Sequence, residues 1–196
     1  MSDSRGGAST IVTLPNIISV IRLLLIPVFL WLVYGAEEIG WAGVLLGVIG
    51  ATDWIDGYLA RRLNQVSEVG KFLDPLADRL AVVVAVIVGL IEGILPAWFA
   101  WALIIRELAI GLGAIWGWRN GVTKLDVRWL GKAATLGLYV GITLLYAGVG
   151  FDAPVVTFFG YVFGLPGLVM YYIVALQYFF DMRAAVEEKN AAGTEG

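Results

Sequence analysis

Cysteine and histidine are both missing from this chain of 196 residues. Without cysteine there is neither a disulfide framework nor a thiolate metal site. Without histidine the commonest general base and a common metal ligand are gone. Any acid–base or metal chemistry must therefore run on carboxylates, with Lys, Arg or Tyr in support. Charge is scarce as well: 15% of residues are charged against 60% hydrophobic, and the mean hydropathy is strongly positive. That balance lies outside the range of globular domains and reads as an integral membrane protein of one domain. The net charge of −3 is small, no nucleic acid is expected among the partners, and the placement of charges says more than their sum.

Residues 1–10 are small and polar and are expected to be disordered. A signal peptide is not expected, because the apolar run after Pro15 is too long for an h-region, contains Arg22 and lacks a small-residue cleavage site. Crossing a bilayer takes about 20 mostly apolar residues. Six segments qualify: Asn16–Tyr34, Ile39–Leu63, Lys71–Ile91, Leu95–Trp118, Leu130–Val149 and Pro154–Phe180. Thr13–Ile21 suits a short interfacial helix, with Pro15 at a helix start and Arg22 close enough to the interface to snorkel. The expected layout is an all-α membrane domain over 11–182, with a solvated mixed-charge tail over 183–196.

Loop charges orient the segments. Glu37, Glu38, Glu92 and Asp152 occupy three connections that hold no Lys or Arg. Arg5, Arg61, Arg62, Lys71, Arg119, Lys124, Arg128, Lys132, Arg183 and Lys189 fall on the opposite side. The positive-inside rule then predicts a multi-pass cell-membrane protein with both termini in the cytoplasm. Gly43, Gly47, Gly50, Gly111, Gly113, Gly137 and Gly141 predict close helix packing. Trp41, Trp98, Trp101, Trp116 and Trp129 near segment ends predict interfacial anchoring.

Four carboxylates break the apolar pattern: Asp53, Asp56, Asp74 and Asp78. Ionisable groups within membrane segments are costly and point to function. On helices, Asp53 and Asp56 are three apart and Asp74 and Asp78 four apart, so each pair shares a face. If the two helices are antiparallel neighbours joined by the short 64–69 connection, all four converge at the cytoplasmic end. Four such carboxylates cannot all stay ionised without compensation. Divalent cations supply it, and an all-oxygen donor set suits Mg²⁺ or Mn²⁺ rather than zinc. Two ions about 4 Å apart would clamp phosphoryl chemistry. Gly57, Ala60 and Gly70 leave a strip without bulk where a nucleotide or pyrophosphate can approach, and Arg61 can pair with phosphate oxygens. The plainer alternative, helix-end charges paired with Arg61, Arg62, Lys71 and Arg79, explains one Asp better than four at this spacing.

The pattern Asp53-x2-Asp56-Gly57-x2-Ala60-Arg61, then eight residues, then Gly70-x3-Asp74-x3-Asp78 resembles the CDP-alcohol phosphatidyltransferase signature at every fixed position. The likeness extends to Leu14-Pro15-Asn16 with Arg22, to Arg106-Glu107 and to Gly131-Lys132. It implies a six-helix membrane fold, a homodimer and two Mg²⁺ or Mn²⁺ ions. It also implies displacement of CMP from CDP-diacylglycerol by an acceptor hydroxyl. By the same resemblance, Asp53, Asp56, Asp74 and Asp78 are the metal ligands and Asp78 is also the general base. Gly57, Ala60, Arg61 and Gly70 hold the CDP portion.

Within the family the chain resembles the phosphatidylglycerophosphate synthase and cardiolipin synthase-like branch. The acceptor is then glycerol 3-phosphate or phosphatidylglycerol. Enzymes that use glycerol 3-phosphate typically carry Gly-Lys-x-Lys-Thr before the fifth span, whereas this chain reads Gly131-Lys132-Ala133-Ala134-Thr135. The missing second lysine tilts the expectation toward phosphatidylglycerol. Lys132 is the first candidate cation for the acceptor phosphate, with Arg128, Lys124 and Arg119 behind it. Arg106 and Glu107, deep in the fourth segment, either pair within the bundle or shape the acceptor pocket. Two other classes stay open at this point: an intramembrane prenyltransferase and a non-enzymatic divalent-cation transporter. Metal-dependent CMP release separates them from the transferase.

Overall fold

The computed structural model describes residues 14–63, 68–120 and 129–192, with side chains over 18–52, 79–120 and 129–187. Among these residues lie six helices and no strand: α1 Leu14–Tyr34, α2 Ile39–Leu63, α3 Glu68–Ile91, α4 Ala97–Arg119, α5 Trp129–Gly150 and α6 Pro154–Ala192. Each expected segment is helical, and α2 has the expected bounds. Leu14–Ile21 differs from expectation, since it runs without a break into the rest of α1 and forms no separate interfacial helix. Pro15 sits in the first turn, where a missing N–H leaves no helical bond unmade. The second difference is at the other end, where α6 continues past Phe180 to Ala192. Hydropathy falls there but helix propensity does not, because Ala184, Ala185, Glu187 and Lys189 are good helix formers. Arg183 donates from Nε to Glu187 Oε1 one turn on, at 3.0 Å.

The three connections without Lys or Arg are tight turns. Each contains one residue in the left-handed region, Glu37 (φ 57°), Gly93 (φ 68°) and Asp152 (φ 49°), of which only glycine adopts it without steric cost. Backbone bonds close them: Gly35 N–H to Trp31 O (2.8 Å), Leu95 N–H to Gly89 O (2.9 Å) and Ala153 N–H to Gly148 O (2.8 Å). The chain thus folds back between α1 and α2, α3 and α4, and α5 and α6.

The hub is α5, whose seam with α6 is the most extensive in the bundle and whose seam with α2 comes next. Absence of bulk makes both possible. A Cβ on Gly141 would meet Gly164 Cα at 2.5 Å, and one on Gly43 would meet Ala147 N at 2.5 Å. Gly111 and Gly113 on α4 depart from expectation, since among the described residues a Cβ there would meet nothing within 4 Å and no neighbouring helix comes close. α5 also ties its neighbours by phenols. Tyr139 Oη donates to Leu46 O on α2 and Tyr146 Oη to Ala85 O on α3, each at 2.6 Å. A buried phenol in apolar surroundings needs such a partner. Phe29, Leu46, Leu95, Phe99, Leu145 and Tyr146 fill the core.

The outside is apolar too. Ile105, Leu108, Leu112 and Ile115 on α4, and Val155, Phe158, Val169 and Phe180 on α6, are exposed. In water so much exposed apolar surface would drive association; in lipid it is at home. Ala97–Arg119, Trp129–Gly150 and Pro154–Glu187 are each long and apolar enough to cross a membrane. Trp41, Trp98, Trp101, Trp116 and Trp129 all face outward, as anchors at the membrane interface do.

Candidate active site

The motif lies on two helices, with Asp53, Asp56, Gly57, Ala60 and Arg61 on α2 and Gly70, Asp74 and Asp78 on α3. Helical backbone through both segments gives the three- and four-residue spacings the shared faces they require. The side chains of 53–78 and the 64–67 connection lie outside the described residues, and the expected convergence of the four carboxylates with them. Among the described residues, α2 and α3 form no extended seam of their own. α1 and α5 each pack against both, so among the described residues these two helices bridge the motif helices. The donor set fits a hard divalent cation, being all carboxylate on regular helix. Among the described residues no other cluster of three or more potential ligands gathers.

Arg22 of α1 comes close to the start of the motif. It does not snorkel outward as expected but is 2% exposed, with Ser19 one turn before it fully buried. Arg22 lines a cavity of ≈ 160 Å³ with Ile18, Ile21 and Leu25 of α1 and Thr52 of α2, the residue that precedes Asp53. Thr52 Oγ1 donates to Ile49 O at 2.7 Å, a local bond that turns the hydroxyl back onto its own helix.

A second charged cluster joins three helices. Arg106 is 6% exposed and donates from Nη1 to Glu107 Oε1 at 2.9 Å. Its guanidinium lies over the Tyr171 ring of α6, 3.4 Å from the centroid. Tyr171 Oη donates to the same Oε1. Glu107 Oε2 faces Nη1 of Arg79 on α3 at 3.7 Å. Of the two expectations for Arg106 and Glu107, pairing within the bundle is what the geometry contains. Tyr171 escapes sequence reasoning because it is 64 positions from its partner. Arg79 carries only the weak signal of standing next to Asp78.

Lys132 is exposed on the first turn of α5. Ala134, where a second lysine would stand, is fully buried. Thr135 Oγ1 bonds back to Gly131 O at 2.9 Å. Arg119 is exposed in the last turn of α4, where a cation complements the helix dipole. Lys124 and Arg128 lie outside the described residues.

An all-α bundle with an apolar exterior that carries a carboxylate motif on two of its helices defines a class of integral membrane protein. Residues 12–179 match the CDP-alcohol phosphatidyltransferase family, and the chain belongs to that family of phospholipid biosynthesis enzymes. The chain is 37% identical over 201 residues to the cardiolipin synthase (CMP-forming) of Streptomyces coelicolor, covering 98% of this chain and 93% of that one. It is also 37% identical over 147 residues to the CDP-diacylglycerol–glycerol-3-phosphate 3-phosphatidyltransferase of Bacillus subtilis, covering 67% of this chain and 75% of that one. The enzyme of the same description from Escherichia coli K12 is 32% identical over 164 residues, 74% of this chain and 88% of that one. The resemblance read from the motif is borne out, and the prenyltransferase and transporter readings are set aside.

Proposed function

We propose that this protein transfers the phosphatidyl group of CDP-diacylglycerol to phosphatidylglycerol, releasing CMP and forming cardiolipin at the cytoplasmic side of the cell membrane. The observation that carries the acceptor is Ala134. A glycerol 3-phosphate dianion calls for more than one cation, and the position that supplies the second lysine elsewhere is here a buried methyl group. A likeness that spans nearly the whole chain of the Streptomyces coelicolor cardiolipin synthase supports the same choice.

Gly57, Ala60 and Gly70 leave room for the CDP portion on the motif helices, and Arg61 pairs with its phosphate oxygens. Asp53, Asp56, Asp74 and Asp78 would hold two divalent ions, Mg²⁺ or Mn²⁺. When bound, such ions neutralise the pyrophosphate charge and act as Lewis acids. Asp78 takes the proton from the acceptor hydroxyl. The freed oxygen forms a bond to the phosphorus next to the diacylglycerol, and the bond from that phosphorus to the bridging oxygen breaks, with CMP leaving. Lys132 steadies the acceptor phosphate. The working unit is a homodimer.

CMP release by the purified protein, measured with CDP-diacylglycerol and Mg²⁺ or Mn²⁺, tests the proposal. Phosphatidylglycerol is expected to support release at least as well as glycerol 3-phosphate. Activity confined to glycerol 3-phosphate would overturn the lipid acceptor while leaving the transfer reaction intact.

A further inference from the structure

We infer that Glu107 and Tyr171 are positioning residues for phosphatidyl transfer, a clamp that holds Arg79, and through it the active-site end of α3, against α4 and α6. The inference rests on the role proposed for Asp78, which directly precedes Arg79 in the chain.

The division of the carboxylate oxygens carries it. Oε1 of Glu107 is held twice, by Arg106 Nη1 at 2.9 Å and by the Tyr171 hydroxyl. Arg106 is itself fixed, since it is 6% exposed and its guanidinium lies over the Tyr171 ring. With Oε1 occupied from α4 and α6, Oε2 is turned toward Arg79 of α3 at 3.7 Å. Three helices thus meet at one carboxylate, and they need it. The seams of α4 with α3 and with α6 are short beside that of α5 with α6.

The outer pair of this clamp adds little to stability. Arg79 is 63% exposed on its side chain, and an ion pair that open to solvent is weak. What the pair supplies is direction. A long, flexible arginine next in the chain to a catalytic carboxylate is given a partner on another helix. A misplacement of about 1 Å remote from the reacting atoms can cost about 100-fold in rate. The expected signature is therefore a fall in kcat with little change in melting temperature.

The test uses the full-length protein in detergent, reading kcat, KM for CDP-diacylglycerol and melting temperature. Glu107→Gln is expected to lower kcat by about 10- to 100-fold, and Tyr171→Phe, which keeps the ring beneath Arg106, by about 3- to 10-fold. KM is expected to stay within about 2-fold of wild type. Arg79→Gln added to Glu107→Gln should cause no further loss, because the two act through one contact, and Arg79→Lys should recover most of the activity that Arg79→Gln loses. Should Glu107→Gln fail to fold, Tyr171→Phe carries the test alone. Arg183→Gln, which breaks only an exposed pair on α6, serves as the unaffected control. Variants that melt lower but turn over at the wild-type rate overturn the clamp, and so do losses at Glu107 and Arg79 that multiply independently. A wild-type protein that releases no CMP overturns the transfer reaction and the clamp with it.

Discussion

Where α5 meets α6, the backbones touch through Gly141 and Gly164 without a charged group between them. Where α4 meets α6 near Tyr171, two arginines, a carboxylate and a phenol share one contact. Both seams join helices in an apolar setting, yet they are built for different ends. In lipid the hydrophobic effect does not drive helices together, so close packing of small residues and satisfied hydrogen bonds must do so. The glycine seam does this over its whole length and sets stability. The charged seam is short, expensive to bury, and lies beside the helix that bears Asp74 and Asp78, so its value is geometric. Substitutions on the two sides should therefore separate: chemistry without stability on one, stability without chemistry on the other.

The largest effect is expected at the motif itself. Asp78→Asn should lower turnover by about 10²- to 10⁴-fold, the range for losing a general base. Metal-dependent binding of CDP-diacylglycerol should largely survive. Asp53→Asn should lose that binding, because position 53 is assigned to holding metal and donor rather than to the proton. Equilibrium binding measured beside CMP release distinguishes the two, and an equal loss of binding in both would contradict the role given to Asp78.

On the stability side, Gly141→Val places a side chain where even a Cβ would lie 2.5 Å from Gly164 Cα, 2.7 Å from Gly164 N and 3.0 Å from Gly160 O. All three are backbone atoms and none can swing aside, so the helices must part. The expected cost is about 3 kcal/mol, at the upper end for overpacking, read as a lower melting temperature in detergent. Turnover per folded molecule should be near wild type. A variant that folds as well as wild type but has lost activity would erase the contrast between the seams.

Much of this was legible in the residues alone, for physical reasons that also mark where legibility stopped. Apolar runs of membrane length located all six helices. The acidic, Lys- and Arg-free connections located three turns, each of which proved to hold a left-handed residue. The motif spacing called for helix at the candidate residues, and both stretches are helical, on α2 and α3. The neighbours of each helix were not legible, because a membrane helix is apolar toward both core and lipid and carries little amphipathic signal. Hence α5 as hub, and α1 and α5 as bridges between the motif helices, emerge only from the fold. Arg22 departs from expectation because a cation near a segment end ordinarily reaches outward, whereas this one turns into a cavity beside Thr52. The extension of α6 to Ala192 leaves no trace in hydropathy, which marks the edge of the membrane and not the end of a helix.

The smallest effect sharpens the contrast most finely, because it removes one polar atom from the stabilising side. Tyr146 is fully buried, donates to Ala85 O at 2.6 Å, and packs edge-on against Phe29 with ring centroids 5.5 Å apart. Tyr146→Phe keeps the ring, its volume and the aromatic contact, and loses only the hydroxyl that ties α5 to α3. Ala85 sits inside α3, where its carbonyl also accepts from the helix ladder, so it is not left bare and the loss should be about 0.5–1 kcal/mol. A small drop in melting temperature with unchanged kcat is the expected result. It would place the tie from α5 to α3 with the glycine seam, as support for the scaffold. A fall in kcat comparable to that expected of Tyr171→Phe would mean instead that α3 is positioned for catalysis from both α5 and α4. The division of labour would then run along the length of α3 rather than between the two seams.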